Sequence, residues 1–583
     1  MVPNFGRNII RRFHNNVSEM KKLAARDWED ILQYAMPSFD GLFETSHNKI
    51  ILDLLFVSAT WHGLGKLRLH TDSSLLSFDG ATEDIGKMCR KFAKDTCGDY
   101  ETKELPSERD SRYRRQGKKR KRSLSPESRS APRLHSFNNN TYKTHALGHY
   151  PFGVRYYGCT DGTSTQTSEK EHKRVKLMYP RTNKQNPAGQ IKNHERRGRL
   201  LRHIRNKHPQ TLVKPQDRRR KKIALGPKDD EPLSKSDPYA RFHIAEGQRY
   251  FHHITKFLND NRADPAVTNF RPKLYSYLLS QLWGEKCPEF LTDHEHSFLG
   301  IEKETFYTHK VVRINYTTYD LHLNQDSINP RTHPDIIVLA PEGSAHPFMY
   351  GRVIGVFHLN ARVRATPLID AVPMQRVYFL WVRWFQYDTG FKAGWKHKRL
   401  HQIRFHLGED RAAFGFVHPT QIVRAAHLIP SFEESSTEHF LPADSVGRQY
   451  EILNAEGGRE LEEDDWKYYC VNMFVDRDMM MLFRGGGIGH QHLRKHLRLF
   501  AVDAGLDKQL LPVYDENGQM VSAGQNDPDT HSEEDERLEP ESFVVGSESS
   551  DEEIEVFGSD DSDSDRDDDP EDGEGEFEDY NSF

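Results

Sequence analysis

The stretch VVRINYTTYDLHLNQDSINPRTHPDIIVLAPEGSAHPFMYGRVIGVFHL, residues 311–359, breaks with the helical period of the chain's first hundred residues. Its β-branched and aromatic residues come in short groups separated by Gly, Pro, Asn and Asp, the pattern of strands joined by turns. The reading predicts strands over 311–321, 335–339 and 350–359, then over 377–385, 401–405 and 421–428. Several short strands with turn signals between them predict a small barrel or sandwich. The aromatic segment YFLWVRWF, 378–385, tests that reading. Alternation puts Tyr378, Leu380, Val382 and Trp384 on one face and Phe379, Trp381, Arg383 and Phe385 on the other. With Trp395 these rings have the chemistry of a cage for a methylated cation, but aromatics on both faces point to a strand with core on two sides.

Toward the N-terminus the period lengthens. Met20, Leu23, Ala24, Trp28, Ile31, Leu32 and Ala35 recur every three or four residues, which places them on one helix face that Pro37 stops. A second helix is expected over 49–69 with Ile50, Ile51, Leu54, Leu55, Trp61 and Leu64 inward. A third starts near Ser73 and carries Leu75, Ile85, Met88 and Phe92. The expected class is therefore α+β: a helical N-terminal half with a disordered basic insertion, a small β-barrel-like domain in the C-terminal half, and a disordered acidic tail. The divisions fall at 1–100 (helical), 101–136 (basic insertion), 137–207 (basic helices, centred on 169–176 and 190–207) and 208–237 (basic linker). They continue with 238–300 (short helices), 301–500 (β domain with a mixed extension) and 501–583 (tail).

Composition explains why so much is assigned to loop and tail. Of 583 residues 36% are hydrophobic and 29% charged, well below the ~45–50% apolar share of ordinary globular domains. The net charge of -5 is a cancellation. Residues 531–583 hold 24 acidic and two basic residues, a net -22, which leaves +17 on residues 1–530. Nine basic residues and one acid in 109–122 contribute +8, and twenty basic against four acidic residues in 169–228 contribute +16. Basic blocks of this kind are the electrostatic footprint of nucleic-acid binding, and acidic blocks often act as interaction tails. Within the second block Lys173, Arg174, Lys176, Arg181, Lys184, Lys192, Arg196, Arg197, Arg199, Arg202, Arg205 and Lys207 are the candidate phosphate contacts. Such contacts give affinity and salt dependence with little sequence preference.

Five cysteines, an odd number without a C-x-x-C pair, give neither a disulfide framework nor a cysteine zinc site. The most apolar run, 50–61, is interrupted by Asp53 and is too short to span a bilayer. These features predict a soluble, reduced, intracellular chain without a membrane partner, and the KKRKR run at 118–122 has the composition of a nuclear-localisation signal. His490, His492 and His496 follow a GGGIG run, and His492 and His496 have i, i+4 spacing, yet no H-E-x-x-H pattern accompanies them, so a solvent-facing basic helix is expected and no metal ligand is assigned. The GGGIG run beside them lacks the GK[ST] ending of a phosphate loop.

The stretch 142–183 gathers Asp161, Glu169, Glu171 and His172 beside the basic block. Metal-assisted phosphodiester chemistry needs carboxylates in such a place to hold two divalent ions. The structural alternative is an Asp in a turn and two Glu in the first turn of a helix, where negative charge meets the positive dipole end. The strings HALGHYPFGVRYYGCTDGTSTQTSEKEHKRVK, WHGLGKLRLHTDSSL and FGRNIIRRFHNNVSEMKKLAARDWEDIL resemble the C-terminal part of Plavaka-type fungal transposon proteins, relatives of the CACTA-type DDE transposases. The resemblance continues in 311–341, in FLWVRWF and in VNMFVDRDMMMLFRGGGIGH, and so covers residues 3 to 490 in blocks. The β region, most clearly at MYGRVIGVF, FLWVRWF and FGFVHPTQIVRAAHLIP (414–430), also resembles the small β domain that follows the catalytic domain in plant CACTA-type proteins.

The resemblance implies that residues 1–100 match the later part of a transposase domain, and that the chain opens where a longer family member would be at its middle. Family members carry two Asp on adjacent strands and a Glu on a later helix, and no strand pair for the two Asp is expected here. The low-ranked catalytic candidates are Glu171, then Glu169, then Asp161. No cofactor is expected for the chain alone; Mg2+ or Mn2+ would enter only if a DDE site were completed by other carboxylates. The favoured expectation is a nuclear, transposon-derived DNA-binding protein, inactive alone. The alternative is a non-enzymatic chromatin factor whose β domain reads a ligand and whose acidic tail binds histones or other basic proteins. In either case a -22 tail and a +17 body predict tail competition with DNA, strongest at low salt.

Overall fold

The computed structural model describes residues 25–106, 108–112, 132–165, 175–207, 239–288, 291–365, 370–453 and 459–506, with a few isolated positions besides. The expected linker 208–237, the KKRKR run and residues 522–583 of the acidic tail lie outside the described residues. The class is α+β.

Three helices open the described chain: α1 (Ala25–Phe39), α2 (Thr45–Gly65) and α3 (Asp72–Asp95). Thr71 caps α3 in a capping box with Ser74, which fixes the start of that helix. In α2 buried residues lie on most faces, among them Ile50, Phe56, Val57, Trp61 and Leu64, because the helix is covered on two sides. On one side Trp61 donates its indole N–H to Thr82 of α3 at 3.0 Å and its ring meets Phe78. On the other Phe56 meets Trp395 and Phe474, and Asp53 pairs with Arg399 at 2.6 Å. One hydrophobic core thus runs from the helices into the strands. The period of α1 misplaces its face: Trp28 is 59% exposed, while Tyr34, Ala35, Met36 and Pro37 are buried. Pro37 sits inside the last turn of α1 rather than before it.

The strands follow as β1 (Phe242–Ile244), β2 (Phe251–His253), β3 (Leu299–Ile301), β4 (Thr305–His309), β5 (Val312–Thr317), β6 (Leu323–Ile328) and β7 (Asp335–Leu339). Then come β8 (Phe348–Val363), β9 (Val372–Tyr387), β10 (His401–Phe405), β11 (Phe414–Val417), β12 (Ile422–Ala425), β13 (Leu428–Pro430) and, after two short ladders, β14 (Tyr469–Val471). The antiparallel hairpin of β8 and β9, sixteen residues each, is the spine. From it the ladder runs β12-β7-β8-β9-β10-β14-β13. Its two ends are halves of one chain segment, 422–430. Between them Ala426 donates its N–H to the Asp335 carbonyl at 2.8 Å, and the His427 carbonyl accepts from Asn472 at 2.9 Å. The sheet therefore curls back on itself, helped by the register shift between Val353 and Gly355 that bends β8. A separate three-stranded sheet has the order β1-β5-β6.

The β9 strand has core on both sides. Phe379 and Trp381 pack with Phe270 of α8 (Phe270–Trp283), whereas Leu380 and Val382 belong to the core shared with the helices. Trp395 donates its indole N–H to the Phe483 carbonyl at 2.6 Å. The aromatics considered for a cage are spent on separate packing contacts.

Candidate nucleic-acid interface

The basic helix α6 (Pro187–Lys207) stands largely clear of the rest of the fold. Pro187 opens it, a position where the missing N–H costs no helical bond. Just before, Asn183 and Gln190 exchange hydrogen bonds, Asn183 N–H to the Gln190 side-chain oxygen at 3.0 Å and the Gln190 amide back to Asn183. That exchange fixes the helix entry. No described side chain of α6 is buried, and Leu200, Leu201 and Ile204 are all more than half exposed. Lys192, Arg196, Arg197, Arg199 and Arg202 project into solvent, as do Lys176, Arg181, Lys184 and Lys207 around them. Glu195 is the helix's sole carboxylate, and it faces Arg199 at 3.7 Å and Arg202 at 3.4 Å. Cations so outnumber acids here that intrahelical pairing leaves most of the positive charge uncompensated, and an exposed cationic helix is a surface for phosphate. Lys173 and Arg174 lie outside the described residues, and so does the side chain of Arg205.

Glu169 and Glu171 also lie outside the described residues, which leaves Asp161 from the acidic trio. Thr160 holds this turn by donating its hydroxyl to the Gly65 carbonyl at 2.8 Å. Both Asp161 oxygens are engaged by guanidinium groups: Arg477 donates to them at 3.1 and 2.9 Å, and Arg68 at 3.0 Å. Burial pushes the Asp161 carboxyl up, but the charge and hydrogen bonds of Arg68 and Arg477 outweigh it and hold it below the usual carboxylate range. Asp161 thus ties the loop after α2 to α9 (Arg477–Leu482). A divalent ion would have to displace two guanidiniums to use it, so its surroundings do not fit a metal ligand. Among the described residues no group of three or more His, Cys, Asp or Glu is arranged to hold a metal ion.

Arg477 leads to a buried charge hub that sequence reading missed. Arg424 of β12 is 1% exposed and donates to Asp326 of β6 at 2.8 Å, to Asp476 at 2.8 Å and to Asp478 at 2.6 Å. Its guanidinium also lies 3.9 Å from the centre of the Tyr316 ring. Asp478 in turn accepts the Tyr319 N–H at 2.6 Å and faces His490 at 2.9 Å. Burial raises the Asp478 carboxyl, and the His490 and Arg424 charges more than reverse that, so it stays ionised. Three separate strings, 311–341, 414–430 and 471–490, meet at this one guanidinium. An Arg inside a strand-like run and DRD ahead of a helix mark members of the hub in the sequence, but neither says that they meet.

The histidine expectation is corrected at the same place. His490 is buried against Asp478 rather than solvent-facing, and Ile488–Leu493 is a 3₁₀ turn with a kink at His490. The segment containing His492 and His496 is therefore not one α-helical face. The glycine run provides close approach: a Cβ on Gly489 would collide with the Thr318 carbonyl, where the Gly489 N–H donates to the Tyr319 carbonyl at 3.1 Å. No helix among the described residues is long and apolar enough to cross a membrane. No protein-family model, curated protein or solved structure matches the chain.

Proposed function

We propose that this chain is a transposon-derived nuclear DNA-binding protein, the counterpart of the C-terminal portion of a Plavaka-type transposase, and that it works by binding rather than by catalysis. The observation that carries the binding part is α6, a 21-residue helix with no buried described side chain and an excess of outward cations. A helix that gives the fold no core is retained for what it meets outside. The family part rests on the sequence strings alone, and the hub at Arg424 gives three of them a common structural role. In this reading the chain has no complete DDE site of its own, and Mg2+ or Mn2+ chemistry would require carboxylates supplied by another chain or segment. The chromatin-reader alternative loses its main support because Trp381 and Phe385 are buried in two different aromatic clusters.

The test is a triple substitution, Arg196→Gln, Arg197→Gln and Arg199→Gln, in the full chain. Affinity for duplex DNA should fall, with equal loss across unrelated sequences. Unchanged affinity would remove α6 from the interface.

A further inference from the structure

A second exposed surface lies on the short helices α4 (Tyr142–Leu147) and α5 (Tyr150–Tyr157). Its inner side is firmly anchored. Pro151 and Val154 are buried, Tyr150 packs edge-on against Trp61 at 5.0 Å, and Arg155 donates two hydrogen bonds to the Asp79 carboxylate of α3, at 2.9 and 2.5 Å. The outer side is aromatic and open. Phe152 is 66% exposed, Tyr156 71% and Tyr157 69%. Phe152 and Tyr156 stand one helical turn apart with ring planes 13° from parallel and centroids at 5.9 Å, and Tyr157 meets Tyr156 edge-on at 4.7 Å. Three large rings in one exposed patch exceed the scattered apolar residues of an ordinary surface.

We infer that Phe152, Tyr156 and Tyr157 form a stacking platform for the bases of an unpaired nucleic-acid strand. The inference rests on the DNA-binding reading and adds the form of nucleic acid selected. The occupant follows from charge: α6, with seven Lys and Arg against one Glu, follows the platform in the chain. A strand whose phosphates are held by those cations brings bases as its exposed flat surfaces, and aromatic rings bind bases by their faces without regard to sequence. Duplex DNA hides those faces in its own stack, so the platform discriminates against it. The anchoring of α5 through Pro151, Val154 and Arg155 holds the rings in place before binding.

The experiment compares the full chain with a Phe152→Ala, Tyr156→Ala, Tyr157→Ala variant by fluorescence anisotropy, using an oligothymidylate and a mixed-sequence duplex as probes. The substituted side chains are exposed, and the thermal midpoint is measured alongside to show that the fold is kept. The expected result is an affinity for the single strand at least about tenfold weaker, with duplex affinity within about twofold. Equal single-strand affinity in both proteins overturns the platform while leaving the DNA-binding reading intact. Absence of binding to either probe by the wild-type chain overturns both. Loss of a self-associated species in sedimentation, with oligonucleotide affinity unchanged, would assign the rings to a second copy of the chain and also overturn the inference. A Phe152→Tyr, Tyr156→Phe, Tyr157→Phe variant, which keeps the rings, should retain single-strand binding.

Discussion

Arginine does two opposite jobs in this molecule. In and around the curled sheet, Arg424 is held by Asp326, Asp476 and Asp478, Arg383 and Arg448 share Asp465, and Arg352 is held by Asp335 and Glu462. In α6 the arginines face water with a single helical carboxylate among them. An unmatched ion in the interior costs several kcal/mol, and Arg424, Arg383, Arg448 and Arg352 are each paired with a carboxylate. An exposed one costs little and stays available. The difference separates residues that hold the fold from residues that meet a partner, although their side chains are identical.

Substitution at each end should break this symmetry in opposite ways. Arg424→Met leaves three carboxylates facing one another in a closed site and should cost about 3–5 kcal/mol in urea unfolding. The α6 triple Gln variant should stay within about 0.5 kcal/mol of wild type. Similar stability of Arg424→Met and wild type would show that the hub is not what holds these strands together.

The buried histidines sharpen the same contrast through pH. Burial lowers His346 and His309 to about 4, and His401 is driven well below 6.5 by burial and by neighbouring His346. The unfolded chain takes up these protons near 6.5 and the folded chain does not. Stability is therefore full above about 6.5 and declines as pH falls toward about 4, by ~2–3 kcal/mol for each of His346 and His309. A His401→Phe variant should show a shallower decline over that window, and a parallel curve would remove His401 from the effect. The arginines and lysines of α6 should not contribute, because they do not titrate there.

Smaller effects follow at the rim of the hub. Gly489→Ala should destabilise by about 1–3 kcal/mol, because the added methyl meets the Thr318 backbone and not a movable side chain. Asp161→Asn, at a partly exposed ion pair, should cost no more than about 1 kcal/mol. A much larger loss there would make Asp161 part of the buried set and not of its edge.

Much of the β region was legible because strand propensity and burial agree in it. The expected 335–339 and 401–405 match β7 and β10 residue for residue, and 350–359 and 377–385 are the centres of longer strands. The predicted strand at 421–428 is split, since Ala426 and His427 form the bend at which the chain leaves β12, paired with β7, and enters β13, paired with β14. A period-based reading has no means of seeing such a bend. The polar strand β6 was missed because Asn324, Gln325, Asp326 and Ser327 look like loop until Asp326 finds Arg424. Trp28 was assigned inward, whereas the buried face of α1 runs through Asp30, Tyr34 and Pro37. The basic helix was readable from charge alone, whereas the hub joins residues up to 174 positions apart, from Tyr316 to His490, and no local pattern encodes it.

The most direct test of the account is the salt dependence of duplex binding by the full chain. From about 50 to about 200 mM salt, log affinity should fall linearly with log salt concentration, at about 0.9 per phosphate contacted. Replacing Arg196, Arg197 and Arg199 by Gln should reduce that slope by up to about 3. A binding constant that does not change with salt, or a slope that the triple variant leaves untouched, would contradict the assignment of α6 as the phosphate-binding surface.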